Sequence, residues 1–477
     1  DKIENEHILT GNMAYNFANG DRVRLNGLYS DKLSSEEGME DQFLIGFGGL
    51  QIFNALDEAF RDFDNEKWEI GGDYEGQIGK FGNIKALFVI NENKHRDVIE
   101  RNLVSDGVRN NYFSSTADYV QAERIFRTSI STSFGQDHTL DYGAEGAFNK
   151  LDKAFVFGGS NDTAIVKEAR YEIFGTHSYK INDRMDLSSS LVGEFSNITQ
   201  ERSGIVNSTK FQYLKPRFEY RYNATEKDQF RLVADRSVSQ LDLNQFVASR
   251  NLEDETINFG NPDLEPEKTW KYSVGYERRF DDDSGSVEFE LYYEDISDHI
   301  DKILIGTNSS GTGNIGKAKR YGLDFKGNLR FGFIGVPNAM ISAEYNYKKS
   351  DTIDPFTGES RWVRMAGTHR WSVDFQHDII DWDVTWGFNV HRRSAMFRQD
   401  VNLREKMFYK RHTKFFIEYR FTENMKIYFE ALHVLKDLKF FDKTYYQDNI
   451  YSGVVDRIEN QVNRKNPDYF LVLKATF

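Results

Sequence analysis

Segments of about ten residues in which every second side chain is apolar recur along the whole chain, and nothing else constrains its fold as much. The clearest sets Trp382, Val384, Trp386, Phe388 and Val390 against Asp383, Thr385, Gly387, Asn389 and His391. Side chains alternate across an extended strand, so each such segment has one greasy face and one wet face. The segments come in pairs joined by short polar turns, while longer stretches separate the pairs. The expected pairs are 5–17 with 21–31, 67–78 with 83–94, 117–134 with 138–150, 168–180 with 184–197, and 209–223 with 228–238. They continue as 268–280 with 286–297, 317–331 with 339–349, 364–378 with 382–394, and 410–421 with 425–436. A final strand over 466–477 carries Tyr469, Leu471, Leu473, Ala475 and Phe477 on one face.

Aromatic residues make up 15% of the 477 residues and charged residues 29%, with a mean hydropathy of -0.63, too polar a mixture for helical membrane spans. No run of about eighteen apolar residues occurs, which excludes a transmembrane helix. A transmembrane β-barrel escapes that test, because each strand needs only about 9 to 11 residues and alternates lipid-facing with lumen-facing side chains. Short turns on one side and long loops on the other are the asymmetry of bacterial outer-membrane barrels, with the turns periplasmic. The expectation is therefore an all-β, transmembrane antiparallel β-barrel. No linker divides the chain, so residues 1–477 are expected to form a single domain.

With no cysteine, the chain has neither disulfides nor thiolate metal sites, and its net charge of -14 argues against nucleic acid as a partner. In the first pair, Asn19-Gly20 reads as a two-residue hairpin turn. Within the stretch that follows, Phe53, Leu56, Phe60 and Phe63 recur at helical spacing and predict a short amphipathic helix.

The segment Gly260–Phe280 begins with two prolines four apart, which hold the backbone extended and delay ladder pairing until after Glu267. A strand then opens with Trp270, Tyr272, Val274 and Tyr276 on one face. Residues Asn261, Pro262, Leu264, Pro266 and Glu267 match the Asn-Pro-x-Leu-x-Pro-Glu phrase, and the segment resembles the signature that enters a barrel strand in TonB-dependent outer-membrane receptors. The resemblance implies a structural role for these five residues, with about nine strands after them, and about nine are read here. It also implies a plug domain blocking the lumen, a TonB complex acting through that plug, and residence in the outer membrane of a Gram-negative bacterium. Uptake of a scarce nutrient, such as a siderophore-iron complex, follows from the same likeness. The terminal Phe477 on an alternating strand resembles the signal read by the outer-membrane assembly machinery.

About nineteen strands are read in all, whereas single-chain bacterial barrels have an even number. With short turns inside, the first and last strands would be parallel neighbours. Either a strand is missed, or the barrel closes with one parallel pair, or the chain begins partway round the wall. The family's barrels have about twenty-two strands, and neither plug nor TonB box is found. The expectation is thus the C-terminal part of a receptor, with plug and opening strands on another chain, removed, or absent.

Ligands of barrels bind in the mouth, where loops meet lumen-facing residues. The candidates are Arg101, Arg109, Tyr112 and Phe113, then Arg361, Trp362 and Arg364, then Arg392, with Arg393 and Arg398 nearby. Arginine grips carboxylate or phosphate with two hydrogen bonds and aromatics stack on rings, so this set suits an anionic chelate or acidic oligosaccharide. The alternative is that these arginines bind lipopolysaccharide phosphates or pair with the surplus loop carboxylates. Arg22, Arg24, Asp73, Glu75, Glu288, Glu290, Asp324 and Lys326 are expected to line the lumen.

Gly311, Gly313 and Gly316 satisfy a dinucleotide pattern, but in a Ser-Gly loop before a strand rather than between strand and helix. Asp281-Asp282-Asp283 lies at a hairpin turn without the downstream spacing of a calcium loop. Neither GxSxG nor HExxH occurs, and His377 beside Asp378 stands alone. No catalytic residue, cofactor or metal site is read. The rival functions are a plugless, porin-like passive channel, an oligosaccharide or peptide importer of the same family, and an assembly or adhesion surface.

Overall fold

The computed structural model describes residues 2–45, 51–251, 256–305 and 309–475. Its main sheet contains 20 strands, one of which, Ser360–Arg361, is two residues long. The other nineteen are β1 (Lys2–Asn16), β2 (Arg22–Ile45), β3 (Gln51–Gln77), β4 (Asn83–Ser105), β5 (Val108–Phe134), β6 (His138–Phe157), β7 (Ser160–Asn182), β8 (Met185–Arg202), β9 (Ile205–Asn223) and β10 (Asp228–Val238), followed after the proline segment by β11 (Lys268–Arg279), β12 (Gly285–Ser297), β13 (Ala318–Phe331), β14 (Val336–Ile353), β15 (His369–Ile379), β16 (Val384–Arg393), β17 (His412–Thr422), β18 (Met425–Leu432) and β19 (Asp468–Ala475). Ten precede the proline segment and nine follow it, as the alternation predicts. Successive strands pair antiparallel from β1 through β6 and from β9 through β19.

Cross-strand register aligns the two faces. In β11 to β13, Tyr272 faces Tyr293, which faces Tyr321, and Val274, Leu291 and Leu323 repeat the pattern one step along. Phe375 pairs with Phe388, which pairs with Phe415. Ile70 faces Ile90, and Phe88 faces Phe126. The apolar residues remain exposed, Leu291 at 59% and Leu471 at 70%, so this band is not a core folded inward.

The opposite face is laced with ion pairs. Arg24 grips Asp73 with Nε and Nη2 at 2.8 and 2.6 Å, and Lys215 bridges Glu172 and Glu194 at 2.7 and 2.8 Å. Lys271 reaches Glu290 at 2.6 Å. Glu288 is the cross-strand partner of Lys326, and Glu290 of Asp324.

Turn-side strand ends fall close to expectation, whereas several outer ends run much further. The predicted helix over 53–63 is instead part of β3, paired with β2 from Arg22↔Glu75 to Ile45↔Gln51; the side chain of Phe53 lies outside the described residues. Cross-strand charge pairing replaces a helical packing face here. Arg61 forks onto Asp97 at 2.9 and 2.8 Å, and Arg101 reaches Asp57 at 2.6 Å. The Asn19-Gly20 turn is longer than two residues: Phe17 N–H donates to Asp21 O, and Gly20, at φ +91°, accommodates the left-handed corner. Phe477 lies outside the described residues.

Three stretches expected as loops are built as sheet. Met396–Gln399, Leu403–Tyr409, Asp437–Tyr446 and Val455–Lys465 form a four-stranded sheet on which Met396, Met407 and Phe441 pack together. Ile300–Ile305 and Ser309–Asn314 form an antiparallel hairpin that contains Gly311 and Gly313. A Cβ on Gly313 would come within 2.3 Å of Ile303, so glycine there serves strand packing, with no helix following as a nucleotide site requires. Contacts divide the chain into two compact units, one of residues 1–178, 190–215 and 241–264, the other of 179–189, 216–240 and 265–477.

Candidate functional site

In the first unit the outer ends of β3, β4 and β5 bring two predicted residues, Arg101 and Tyr112, together around a buried carboxylate. Asp57 accepts from Arg101 Nη2 at 2.6 Å and from the Tyr112 hydroxyl at 2.9 Å, and the Arg101 guanidinium lies 5.9 Å from the Tyr112 ring centre. Arg101 pairs with Phe113 and Asn102 with Asn111, which leaves Tyr112 as the extra residue of a bulge. Such a bulge re-aims a side chain, here toward Asp57. Phe113 is buried, its ring 5.2 Å from Phe157. Arg109 pairs with Glu58 and lies over Phe60, with more than half its side chain exposed.

In the second unit Arg361 is the centre of a buried charge group. Its Nη2 donates to Asp301 at 2.8 Å and its Nε to Asp354 at 2.5 Å, while Arg364 lies 3.9 Å from Asp301. Asp354 also caps its own turn, accepting from the N–H groups of Phe356 and Thr357. Trp362 is exposed, and with Arg361 it lines a cleft of about 680 Å³ shared with Tyr293, Lys319, Tyr321 and Lys349. Tyr293, Tyr321 and Lys349 are successive cross-strand partners on the apolar face, so this cleft opens at the outer margin of that face. Arg392, opposite Trp371, is exposed on the same face and belongs to neither arginine group. Arg398 is buried against Glu405.

The proline segment is held by its own hydrogen bonds. Asn261 N–H donates to Gln245 O, and its Oδ1 accepts from Asp263 N–H at 3.0 Å. Leu264 is buried. Ser239 N–H donates to Glu267 O at 2.8 Å and Glu267 N–H donates to the Ser239 hydroxyl oxygen at 2.9 Å, while the Glu267 carboxylate takes His299 Nδ1 at 2.7 Å and Ile300 N–H at 3.1 Å, with Arg320 at 3.7 Å. Burial alone would raise the Glu267 pKa; the His299 and Ile300 hydrogen bonds and the Arg320 charge outweigh it and hold the group below its ordinary 4.5.

The sequence reading missed a histidine-aspartate group at the outer ends of β16 to β19. His412 and His433, with Asp437, offer ligand atoms within 4.8 Å of one another. Residues 412 and 433 lie on neighbouring strand ends, a closeness that spacing along the chain does not reveal; only the register of β17 against β18 does. His377, by contrast, packs edge-on to Trp386 while Asp378 accepts from Thr385 at 2.9 Å, so the two do not act as a pair.

A model of the family described as TonB dependent receptor-like, beta-barrel, matches residues 4–432. Among solved structures the chain is similar to the ferric-catecholate import receptor Fiu from E. coli K12, at 12% identity over 99% of this chain and 80% of that one, with a TM-score of 0.66. It is also similar to the siderophore receptor PiuA from Acinetobacter baumannii, at 11% identity over 99% and 80% of the two chains, with a TM-score of 0.62. The copper transporter OprC aligns at 11% identity over 100% and 80%, with a TM-score of 0.59. Identities this low carry the fold alone. No curated protein sequence matches the chain. With the family model spanning most of its length and a sheet that is apolar on one face and ion-paired on the other, the chain belongs to the TonB-dependent receptor β-barrel family.

Proposed function

We propose that this chain is the wall of an outer-membrane receptor that actively imports a scarce nutrient, with a siderophore-iron complex as the leading substrate class. The observation that carries the proposal is the family match over residues 4–432, borne by strands whose apolar and charged faces stay in register from neighbour to neighbour. Two solved structures similar in fold are named as a ferric-catecholate import receptor and a siderophore receptor, which supports the substrate class. On this reading the ion-paired face surrounds a plug domain, and the TonB complex works through that plug. Arg109 and Tyr112, exposed beside buried carboxylates, are proposed to contact an anionic chelate, with Arg101 and Phe113 supporting them. Arg361 lines the cleft that Trp362 borders, and Arg364 stands beside its partner Asp301. Lys319 and Lys349 in that cleft, together with Arg392, stand on the outer margin of the apolar face, where lipopolysaccharide phosphates are their natural partners.

Growth under iron limitation and uptake of radiolabelled ferric chelates test this proposal. Loss of uptake on deleting either this gene or TonB is the expected result; uptake that persists without TonB overturns active transport in favour of a passive channel.

A further inference from the structure

We infer that His412, His433 and Asp437 form a binding site for one divalent late transition-metal ion, of the zinc, cobalt, nickel or copper class. The inference stands apart from the uptake proposal, since it needs only these side chains and the short backbone turn that gathers them.

His412 is the first residue of β17 and faces His391 of β16 directly across the ladder, the two rings stacked with centres 4.6 Å apart. That stacking fixes the plane of the His412 imidazole. His433 follows the end of β18, meets His412 edge-on at 4.7 Å, and is 6% exposed. Its φ of +56° is a left-handed conformation that a residue with a Cβ adopts only when its surroundings hold it there. Three hydrogen bonds hold this turn: His433 N–H to Thr413 O at 2.7 Å, Lys436 N–H to His433 O at 2.8 Å, and Leu435 N–H to Thr413 Oγ1 at 3.1 Å. The turn returns the chain so that Asp437, four residues on, lies beside His433, with Nδ1 to Oδ2 at 2.7 Å. Thr413 orients the same carboxylate through its N–H and its hydroxyl, each at 3.3 Å.

Two features point to a ligand rather than to a closed polar network. His412 Nδ1 is buried with no hydrogen-bond partner, and its Nε2 stands 3.9 Å from Asp437 Oδ2, too far for a hydrogen bond. His433 Nε2 points toward Asp468 at 3.7 Å, likewise beyond hydrogen-bond reach. Bonds of about 2.1 Å place tetrahedral ligand atoms about 3.4 Å apart, so closure around an ion asks for small side-chain rotations and no movement of the strands.

The donor set selects the ion. Two imidazoles and one carboxylate are nitrogen-rich, which suits zinc, copper, nickel and cobalt, whereas calcium and magnesium want oxygen. Three protein ligands leave a position open for water. A bound ion would fasten the end of β17 to the turn at the base of the Asp437–Tyr446 strand, stiffening the root of the outer sheet.

The test uses the whole purified chain in detergent, stripped with chelator and titrated with zinc chloride by calorimetry and with cobalt chloride by visible absorption. One ion per chain, with ligand-field bands on cobalt, is the expected result. His412→Ala and Asp437→Asn should each weaken binding by about 10- to 100-fold or more, while His377→Ala, which removes a histidine packed on Trp386, leaves it unchanged. Circular dichroism confirms that each variant keeps its strands, and His412→Gln replaces any that does not. Failure of the parent chain to bind zinc or cobalt overturns the site, as does unchanged affinity in folded His412 and Asp437 variants.

Discussion

Arg361 carries its charge where water hardly reaches it, between Asp301 and Asp354, whose side chains are almost fully buried. Removing one partner of such a group costs more than the pair contributes, because the remaining charges are stranded. Arg361→Ala should therefore destabilise the second unit by about 3–5 kcal/mol, read as a lowered unfolding midpoint in detergent. Arg361→Lys should recover only part of it, since an ammonium cannot fork between two carboxylates. Glu267 gives a second expectation with a definite sign. Its folded pKa is held below the ordinary 4.5, so its contribution to stability is present above that value and is lost as pH falls through the folded pKa. Comparing unfolding midpoints at about pH 6 and about pH 3.5, the parent chain should lose its advantage over Glu267→Gln on acidification. An advantage that is constant with pH would remove the His299–Glu267–Ile300 bridge from any role in stability.

For single strands the decisive variable is which face a residue occupies. Phe388 lies on the apolar face between Phe375 and Phe415, while Asn389, its neighbour in sequence, donates to Asp374 at 2.6 Å on the other. Phe388→Arg should cost about 2–4 kcal/mol in lipid and Asn389→Arg much less, measured as refolding equilibria into vesicles. Equal costs would mean the two faces meet the same medium. At the turn of β3 and β4, Gly82 has φ +105°, and a Cβ there would stand 2.0 Å from Ser131 O, so Gly82→Ala should loosen this hairpin and speed exchange of the Ile78 amide. The strands were legible in the sequence for the same reason the Phe388 contrast works: lipid against a wet face writes a period of two. Where that contrast ends, so does legibility. Beyond the apolar band both faces of β3 meet water or protein, the period disappears, and Leu56, Phe60 and Phe63 read as a helix although the backbone stays extended. In the sheet of 396–409 and 437–465 two of the three ladders are local hairpins, and it is the pairing of Leu403–Tyr409 with Asp437–Tyr446, far apart in sequence, that no local period reveals. Arg101, Arg361 and Trp362 could be picked out by residue type, yet the carboxylates that hold the two arginines could not: the register of β3 against β4 brings Asp57 to Arg101, and Asp301 reaches Arg361 from a strand of another sheet.

At the scale of the whole molecule the exposed apolar band sets what solvent the protein tolerates. A soluble monomer rarely shows contiguous apolar patches beyond a few hundred Å², yet in each unit strand after strand leaves leucine, isoleucine, valine and aromatic side chains open, among them Ile173, Leu191, Val274 and Leu473. The band also has a defined height. From Trp270 on β11 to Phe280 just past its end is about ten residue steps, or about 34 Å of extended chain, which at a tilt of about 45° covers about 24 Å. That equals the apolar height of an outer-membrane barrel, about 25 Å between two aromatic girdles. Trp270 and Trp371 lie near the outer ends of their strands, and Trp382 and Trp386 near the turns. In vesicles, brominated lipids should therefore quench these tryptophans when the bromine sits near the interface more than when it sits at the bilayer centre. Removing detergent without adding lipid should drive the protein out of solution as aggregates, followed by light scattering. A monodisperse species in plain buffer, with tryptophan emission unaffected by brominated lipid, would mean that the apolar face is covered by protein, and the wall assigned to these strands would have to be abandoned.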